Sequence, residues 1–471
     1  MGDFGLLRQA TSVQLSSKLF SSKTTFEYRE AHNDFRYPIS PDLPEREQTN
    51  AELSQRLFTQ DFGWKISEKD QITAHIWHQN SFREIPPTNV QSRSLAEQKD
   101  EATRVMLHYR HQSSRFKLNA KAALFDEEIL YADPLIGLDA LTGFKTYLAE
   151  ATGQFTLSEK HDFFIGHTQT LTRAQAAEYQ EPAEECRWSV FGMWRYTAKD
   201  FFLQADLRQE VFNGDLVSPI PSIGAEYSPL ENWLVKGKIS KNFRLPTLND
   251  RFWVPGGSPD LRAESGWSQE VTVENGFWLK KSFFKWSMTG FNREVDNWIM
   301  WSPQPELGFW SASNLVTVWS RGVELRADAE FRISKVKLSL RGGYDRILST
   351  NEGQSDVPGM ELGEQLLYTP EQMAFVSAKA TIKGLSISYR HSYTGETRGV
   401  NGTLAEFNTA DIRIQYTGKA IQPDSKMSAS FFFDIRNVYD ADYFVIDRRP
   451  MPGINFQAGI RISYNQLKTN P

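Results

Sequence analysis

The chain has 471 residues, a formal net charge of −5 and a sequence pI near 6.0, so it offers no basic footprint for nucleic acid. With 40% hydrophobic and 13% aromatic residues it is not a disordered polymer. Mean hydropathy is −0.49, and no run reaches the roughly 18 uncharged apolar residues that a membrane helix needs, which excludes a helical membrane protein.

The single cysteine, Cys186, excludes an internal disulfide and a metal cluster built on thiolates. Met1-Gly2-Asp3-Phe4-Gly5 has neither a basic region nor an apolar core, so it does not read as a secretion signal. A long, aromatic-rich chain with a polar average fits two classes. One is a large soluble all-β protein; the other is a transmembrane barrel, whose segments alternate and average out.

Taken in chain order, period-two segments are centred near residues 14, 28, 57, 77, 105, 121, 150, 168, 192, 206, 225, 238, 273, 291, 322, 342, 376, 390, 413, 434 and 460. Leu385, Ile387, Tyr389, His391 and Tyr393 make one face of such a segment, and Ser386, Ser388, Arg390 and Ser392 the other. Phe456, Ala458, Ile460, Ile462 and Tyr464 alternate in the same way with Gln457, Gly459, Arg461 and Ser463. Almost no 3.6-residue period competes, so the chain is expected to be all-β with about 21 strands.

The connections alternate in length. Ser21-Ser22-Lys23, Ser67-Glu68-Lys69, Ser158-Glu159-Lys160, Lys280-Lys281-Ser282 and Lys383-Gly384 are short. Tyr37 to Glu47, Ile85 to Ser94, Arg173 to Glu185, Arg244 to Glu264, Ser349 to Gly363 and Gly395 to Ala405 are long and rich in Pro, Gly or charge. Only Thr417 to Lys426 is long on the short side. A sandwich has no reason to keep its long loops at one end, and a propeller would repeat every ~40 residues. An outer-membrane barrel has short periplasmic turns and long outer loops. Such barrels are normally even-stranded, so an odd count whose first segment enters from outside implies that one N-terminal strand is missing.

Catalytic and metal readings find little support. His75/His78 and His108/His111 are three apart, which on a strand puts each pair on opposite faces. There is no H-E-x-x-H, G-x-S-x-G or phosphate-binding loop, so no catalytic residues and no metal site are assigned. Asp440, Asp442 and Asp447 carry the spacing of a weak calcium signal, outweighed by a solvated strand end. Phe252, Trp253, Trp298, Trp301, Phe309 and Trp310 cluster in the loop-rich middle, either as an interfacial girdle or as stacking surfaces for a bulky ligand. Arg244, Asp250 and Arg251 are the polar ligand candidates on the longest loop.

The stretch from Ile239 to Glu264, with Ser240-Lys-Asn-Phe-Arg-Leu-Pro-Thr247 and Gly256-Gly-Ser-Pro-Asp-Leu-Arg-Ala-Glu264, resembles the long barrel loop of TonB-dependent receptors. It departs at Phe252, Ser258 and Ala263, where Leu, Asn and Pro are usual. Gly322-Val323-Glu324, Ile435-Arg-Asn-Val-Tyr-Asp-Ala-Asp-Tyr443 and Pro452-Gly453 look like further family motifs in the family's order, and Gly2-Asp3-Phe4-Gly5 is similar to the segment that follows its first barrel strand. The cobalamin-receptor branch looks nearest.

The resemblance implies a 22-stranded barrel in the outer membrane of a Gram-negative bacterium. It implies import of a bulky, scarce nutrient such as a siderophore, cobalamin or similar metal chelate, without enzymatic activity and without a bound cofactor. Expected partners are outer-membrane lipid, the nutrient, an inner-membrane TonB-type energising complex and a surface lipoprotein. Residues 1–471 would be the barrel domain alone, with signal, coupling box, plug and first strand lying elsewhere. The calcium-binding aspartates of cobalamin receptors have no counterpart in Ser81 to Ser94, which contains Glu84 but no Asp. Ligand contact is expected from Arg244, Asp250, Arg251, Trp253, Trp301 and Trp310. The competing reading is a passive outer-membrane pore or a surface binding module.

Overall fold

The computed structural model of the chain describes residues 1–39, 44–304, 308–314, 317–353, 361–419 and 426–465. Alternation along the sequence becomes alternation in space. Twenty-one strands of eight residues or more, from Leu7–Ser16 to Asn455–Tyr464, form one sheet in which each is antiparallel to the next. The two-residue strand Asp215–Leu216 is the sheet's twenty-second member. The expected strand count and order hold. Among the described residues the one helix, Leu248–Phe252, has five residues, and no helix is long and apolar enough to cross a membrane.

The ends of the sheet differ as expected. Lys280–Lys281, Ser334–Lys335 and Lys383–Gly384 each close a hairpin in two residues, with Lys280, Ser334 and Lys383 at φ +56°, +55° and +46°. At the other end, residues 32–52, 85–96, 245–263, 395–406 and 437–454 join the wall strands. One connection departs from the pattern: at the long-loop end, only residues 134–137 separate Phe116–Asp133 from Leu138–Thr156. Those two strands have 18 and 19 residues, the longest in the sheet, so height there comes from strand rather than loop. Most of the connection from Thr417 to Lys426 lies outside the described residues.

Register assigns the faces. Val105, Leu124 and Tyr147 stand opposite one another on successive strands, as do Ile414, Phe433 and Ala458, and the large side chains among them are exposed. An apolar row exposed on every strand is a lipid face. At the short-turn end it finishes in aromatic pairs: Phe20 with Trp64, Phe116 with Phe155, Trp233 with Trp286, and Phe277 with Phe284 and then Phe331. Such rings sit at the headgroup boundary.

The inward face is polar and braced by ion pairs. Arg413 grips Asp434 through two hydrogen bonds of 2.5 and 2.6 Å; Arg326 meets Asp345 at 2.5 Å, Arg341 meets Asp328 at 2.6 Å and Lys121 meets Glu150 at 2.9 Å. A second device recurs between these pairs. Phe291 lies over Gly322 of the next strand, and Phe191 over Gly166, Phe375 over Gly343 and Phe432 over Gly459 in the same manner. A Cβ at Gly322 would stand 2.4 Å from the Arg346 carbonyl oxygen and 2.9 Å from the Phe291 ring. That close approach explains the glycine of the Gly322-Val323-Glu324 motif. The histidines separate as their spacing requires: His75 turns inward to Asp61 at 2.7 Å, and His78 lies on the opposite face beside Thr103 at 2.9 Å.

The first and last wall strands do not pair with each other. Leu7–Ser16 pairs with Phe20–Ala31 alone, and Asn455–Tyr464 pairs along its length with Met427–Arg436 alone. Among the described residues, chain fills the interval only at the long-loop end. There Met1 and Ala458 exchange two hydrogen bonds of 2.9 Å, and the Asp3 amide donates to the Phe456 carbonyl at 2.9 Å. Gly2 bridges Gln457 on one side and donates to the Leu6 carbonyl at 2.8 Å on the other, so one strand's width separates the two edges at this height.

The face assignment makes a prediction. Ile460 points outward and Ser463 inward on the same strand. Ile460→Arg should cost roughly 2–4 kcal/mol of folding into lipid vesicles, and Ser463→Arg far less. Denaturant titration of the refolded variants measures the difference; equal costs would invert the assignment.

Candidate functional site

The long loops interlock, and the longest organises its neighbours. Thr247 caps the helix Leu248–Phe252: its hydroxyl accepts the Asp250 amide at 3.1 Å, while the Asp250 carboxylate accepts the Thr247 amide at 2.8 Å. This reciprocal cap satisfies donors that a one-turn helix would otherwise leave bare. The other Asp250 oxygen accepts the Trp301 indole N–H at 2.8 Å, which ties the helix to the hairpin Ile299–Gln304/Phe309–Asn314. That hairpin is held twice more, by Ala312 N–H on the Gly256 carbonyl at 2.7 Å and by Asn314, which bonds Arg262 and Asn297.

A cluster of ion pairs lies beneath, in which Glu210, Arg251 and Glu264 are buried. Arg251 pairs with Glu185 at 2.5 Å, and its guanidinium stands 5.1 and 5.0 Å from the Phe212 and Phe252 rings. Arg187 meets Glu210 at 2.7 Å. Arg244 pairs with Glu264, whose carboxylate also accepts the Ile299 amide at 2.8 Å. Tyr179 reaches from the loop of residues 177–182 to donate to the Asn249 side chain. It packs with Ala174, Ala176, Ala183 and Leu248 against Phe252 and Trp253. Burial pushes the Tyr179 phenol up to about 12, so it stays a neutral donor.

The interlocking continues round the mouth. Trp298 and Met300 pack on Val318 and Leu366. Tyr368 donates to Asp447 at 2.7 Å, and the Asn401 amide donates to the same carboxylate at 3.1 Å. Asn89 N–H bonds the Arg448 carbonyl at 3.0 Å, Arg449 bonds the Pro86 carbonyl, and Arg46 bonds the Gln91 and Ser92 carbonyls, both at 2.6 Å. A ring of loops thus surrounds the opening. Along it Trp310, Val254, Val400, Val445 and Ile446 are exposed.

Of the six expected ligand contacts, Arg244, Asp250, Arg251 and Trp301 are engaged in holding loops together, and Asp250 and Arg251 are buried. Trp253 is half-buried and Trp310 exposed, on the hairpin beside the helix. The aromatic cluster of the middle loops is therefore a loop assembly and not an interfacial girdle. The loop aspartates serve the fold as well. Asp440 accepts the Ile454 amide at 2.7 Å, Asp447 takes the two bonds above, and no group of three metal-ligating side chains occurs among the described residues. Asn437 explains the motif around it, since its buried side chain bonds Ala441 at both ends and the Pro452 carbonyl. The anchors that sequence reasoning missed are Tyr179, Glu185, Glu210 and Asn437. Only Asn437 lay in a motif; the other three are identified by partners distant in sequence.

A continuous run of amphipathic antiparallel strands with lipid outside, charge inside and loops gathered at one end defines an integral outer-membrane β-barrel. The family described as "TonB dependent receptor-like, beta-barrel" matches residues 17–438, and the chain belongs to it. It is 28% identical over 108 residues to the vitamin B12 transporter BtuB of Photobacterium profundum, a match spanning 22% of this chain and 17% of that transporter. Its fold is similar to the FrpB iron transporter of Neisseria meningitidis, at TM-score 0.78 and 14% identity over 98% of this chain and 79% of the other. The Serratia marcescens hemophore receptor HasR, solved with its hemophore HasA and heme, gives TM-score 0.75 and 14% identity over 98% and 79%. Proteins of this family are receptors and transporters.

Two predictions follow the geometry. Arg251→Met leaves the largely covered Glu185 with only its 3.9 Å contact to Arg187, and breaking a buried pair of this kind typically costs about 3–5 kcal/mol. Hydrogen exchange should rise in residues 174–183 and 245–258 and stay unchanged in the wall strands. Burial alone would raise Asp447, but hydrogen bonds from Tyr368 and Asn401 outweigh it and hold the carboxyl below its usual range. A carboxylate held down stabilises the fold above its ordinary pKa, about 3.9, and loses that contribution as pH falls through the lower folded value. Exchange in residues 395–406, corrected for intrinsic rates, should therefore rise only below about pH 4, and Asp447→Asn should remove the transition.

Proposed function

We propose that this barrel takes up a bulky, scarce metal chelate (a siderophore, cobalamin or a similar complex) through the outer membrane. The observation that carries the reading is the family match over residues 17–438, joined to a polar, ion-paired lumen under a ring of interlocked loops. A wide lumen of this kind needs a gate. In this reading the plug and the coupling box lie in sequence outside residues 1–471, together with a strand that fills the interval between Leu7–Ser16 and Asn455–Tyr464. Energy comes from a TonB-type complex of the inner membrane.

Within the loop ring the contact residues divide by role. Trp253 and Trp310 offer rigid aromatic surface to the ligand, while Arg244, Asp250, Arg251 and Trp301 hold that surface in place. Similarity to BtuB supports a corrinoid, and the iron transporter and hemophore receptor of similar fold support the wider chelate class.

The test joins the barrel to a family plug and coupling segment in cells lacking their own receptors, then offers labelled ferric siderophores, heme and cobalamin in turn. One ligand should accumulate, and only with an intact TonB complex. Uptake that persists without the complex would establish the passive-pore reading instead. For the accumulated ligand, the double variant Trp253→Ala/Trp310→Ala should lose about 2 kcal/mol or more of binding in equilibrium titration. Unchanged affinity would move the site to another arc of the ring.

A further inference from the structure

The outward face carries two arginines that cargo passage does not use. Across Glu264–Leu279, Ser282–Asp296, Thr317–Ile333 and Val336–Asn351, register carries Gln269, Asn292, Arg321 and Leu348 in one row. Trp267, Glu294 and Trp319 form the next row toward the loops. In the next row toward the turns, Arg346 stands opposite Val323, so Arg321 and Arg346 are diagonal neighbours on adjacent strands. These rows share their side of the wall with Val271, Met288, Leu325 and Leu340, the exposed apolar side chains of the same four strands. The other side of those strands carries Glu324, Arg326, Arg341 and Asp345 into the lumen.

Height follows from strand geometry. Arg321 lies ten residues beyond Phe331 on the same face of one strand, and Phe331 belongs to the aromatic belt at the short-turn end. Ten residues at about 3.3 Å each span about 33 Å of strand, or about 25 Å of barrel axis at a tilt near 40°. That is about the height of the apolar band of an outer-membrane barrel, which puts Arg321 at the boundary of the outer leaflet. Trp267 and Trp319, both exposed, mark the same boundary. Neither Arg321 nor Arg346 has an ion-pair partner among the described residues, whereas the inward Arg326 and Arg341 of the same two strands do. Arg321 is held ready. Its guanidinium stands 3.6 Å from the centre of the Trp319 ring, and one terminal nitrogen donates to the Thr350 hydroxyl at 2.8 Å and to the Trp319 carbonyl at 3.2 Å. The Trp319 indole is fixed in turn by Asn292, at 2.6 Å. Arg346 is exposed.

We propose that Arg321 and Arg346 bind a headgroup phosphate of lipopolysaccharide, the phosphorylated glycolipid of the outer leaflet. The free nitrogens of Arg321 and the whole guanidinium of Arg346 donate to the phosphate oxygens, an arrangement suited to the planar guanidinium fork. The acyl chains descend over Val271, Met288, Leu325 and Leu340, and the ring of Trp267 lies beside the sugar. Glu294, in the row nearer the loops, pairs with neither arginine. A soluble phosphate ester would satisfy the cations but not the apolar rows directly beneath them. The site fixes this arc of the barrel in the outer leaflet, whichever nutrient passes through the lumen.

The test uses the full chain in phosphatidylcholine nanodiscs doped with bisphosphorylated lipid A, with retained lipid counted by native mass spectrometry after transfer to detergent. Wild-type protein should retain lipid A over phosphatidylcholine, and R321Q/R346Q should lose that retention about tenfold or more. K145Q/R173Q should keep it, because those outward cations already face Asp126 and Glu184. Heat-modifiable migration in gels should be the same for all three proteins, which shows that the barrel is intact. Lipid A stripped of its phosphates should be retained about as poorly by wild type as the intact lipid is by R321Q/R346Q. Equal retention of lipid A by R321Q/R346Q overturns the proposal, as does equal loss in K145Q/R173Q. Equal retention of the stripped lipid or of phosphatidylglycerol, or displacement of lipid A by millimolar inorganic phosphate, also overturns it. None of these outcomes bears on the nutrient reading, whose measurement is uptake.

Discussion

Hydrocarbon offers no partner to a peptide N–H or C=O, and that constraint shapes everything else in this molecule. Each backbone group in the bilayer must be satisfied by another, and an unsatisfied one costs several kcal/mol. Long antiparallel ladders meet the requirement between every pair of neighbouring wall strands, with unbroken register over 14 to 18 residue pairs in the tallest hairpins, such as Glu97–Gln112 with Phe116–Asp133 and its neighbour Leu138–Thr156. Leu7–Ser16 and Asn455–Tyr464 each carry such a ladder on one side, toward Phe20–Ala31 and Met427–Arg436. Met1–Asp3 bonds the outer side of the last strand at its upper end.

Satisfying the backbone in this way leaves the two faces free to differ. Outside, Ile, Val, Leu and Phe meet lipid with no packing partner required, and aromatic rings mark the boundary. Inside, the wall cannot bury a conventional core, so it is braced laterally. Arg413–Asp434 and Arg326–Asp345 lock adjacent strands, and phenyl rings laid over glycines of the next strand fill what an absent side chain leaves open. Rings such as Phe375 and Phe432 also lie 4.9 and 5.0 Å beneath Arg390 and Arg413, so apolar cover and ion pairing share the same side chains.

The loops obey a different economy. Standing in water, they must order themselves with few apolar residues. They do it by placing side chains where one group satisfies several others: Asp250 caps a helix and holds Trp301, Glu264 holds Arg244 and the Ile299 amide, and Asp447 joins two neighbouring loops. Each is a carboxylate, the side chain with most acceptor sites for its size. Charge that reads in the sequence as ligand-seeking is thus largely consumed by loop order, and exposed apolar side chains are left at the mouth.

The sequence by itself determined the class, the strand order, the faces and the side on which the loops lie. Those follow from period-two alternation and from turn length, both properties of neighbours along the chain. Leu385–Thr394 shows this directly, since its outward row could be named before any partner strand was known. Its motifs also marked Gly322 and Asn437, whose reasons are a close approach by Phe291 and a loop staple. What the tertiary structure alone decided is which polar residues are free. Arg251 meets Glu185 across 66 positions of sequence, and Trp301 meets Asp250 across 51. Contacts of that range depend on where the barrel brings loop ends together. Local patterning carries no record of that distance.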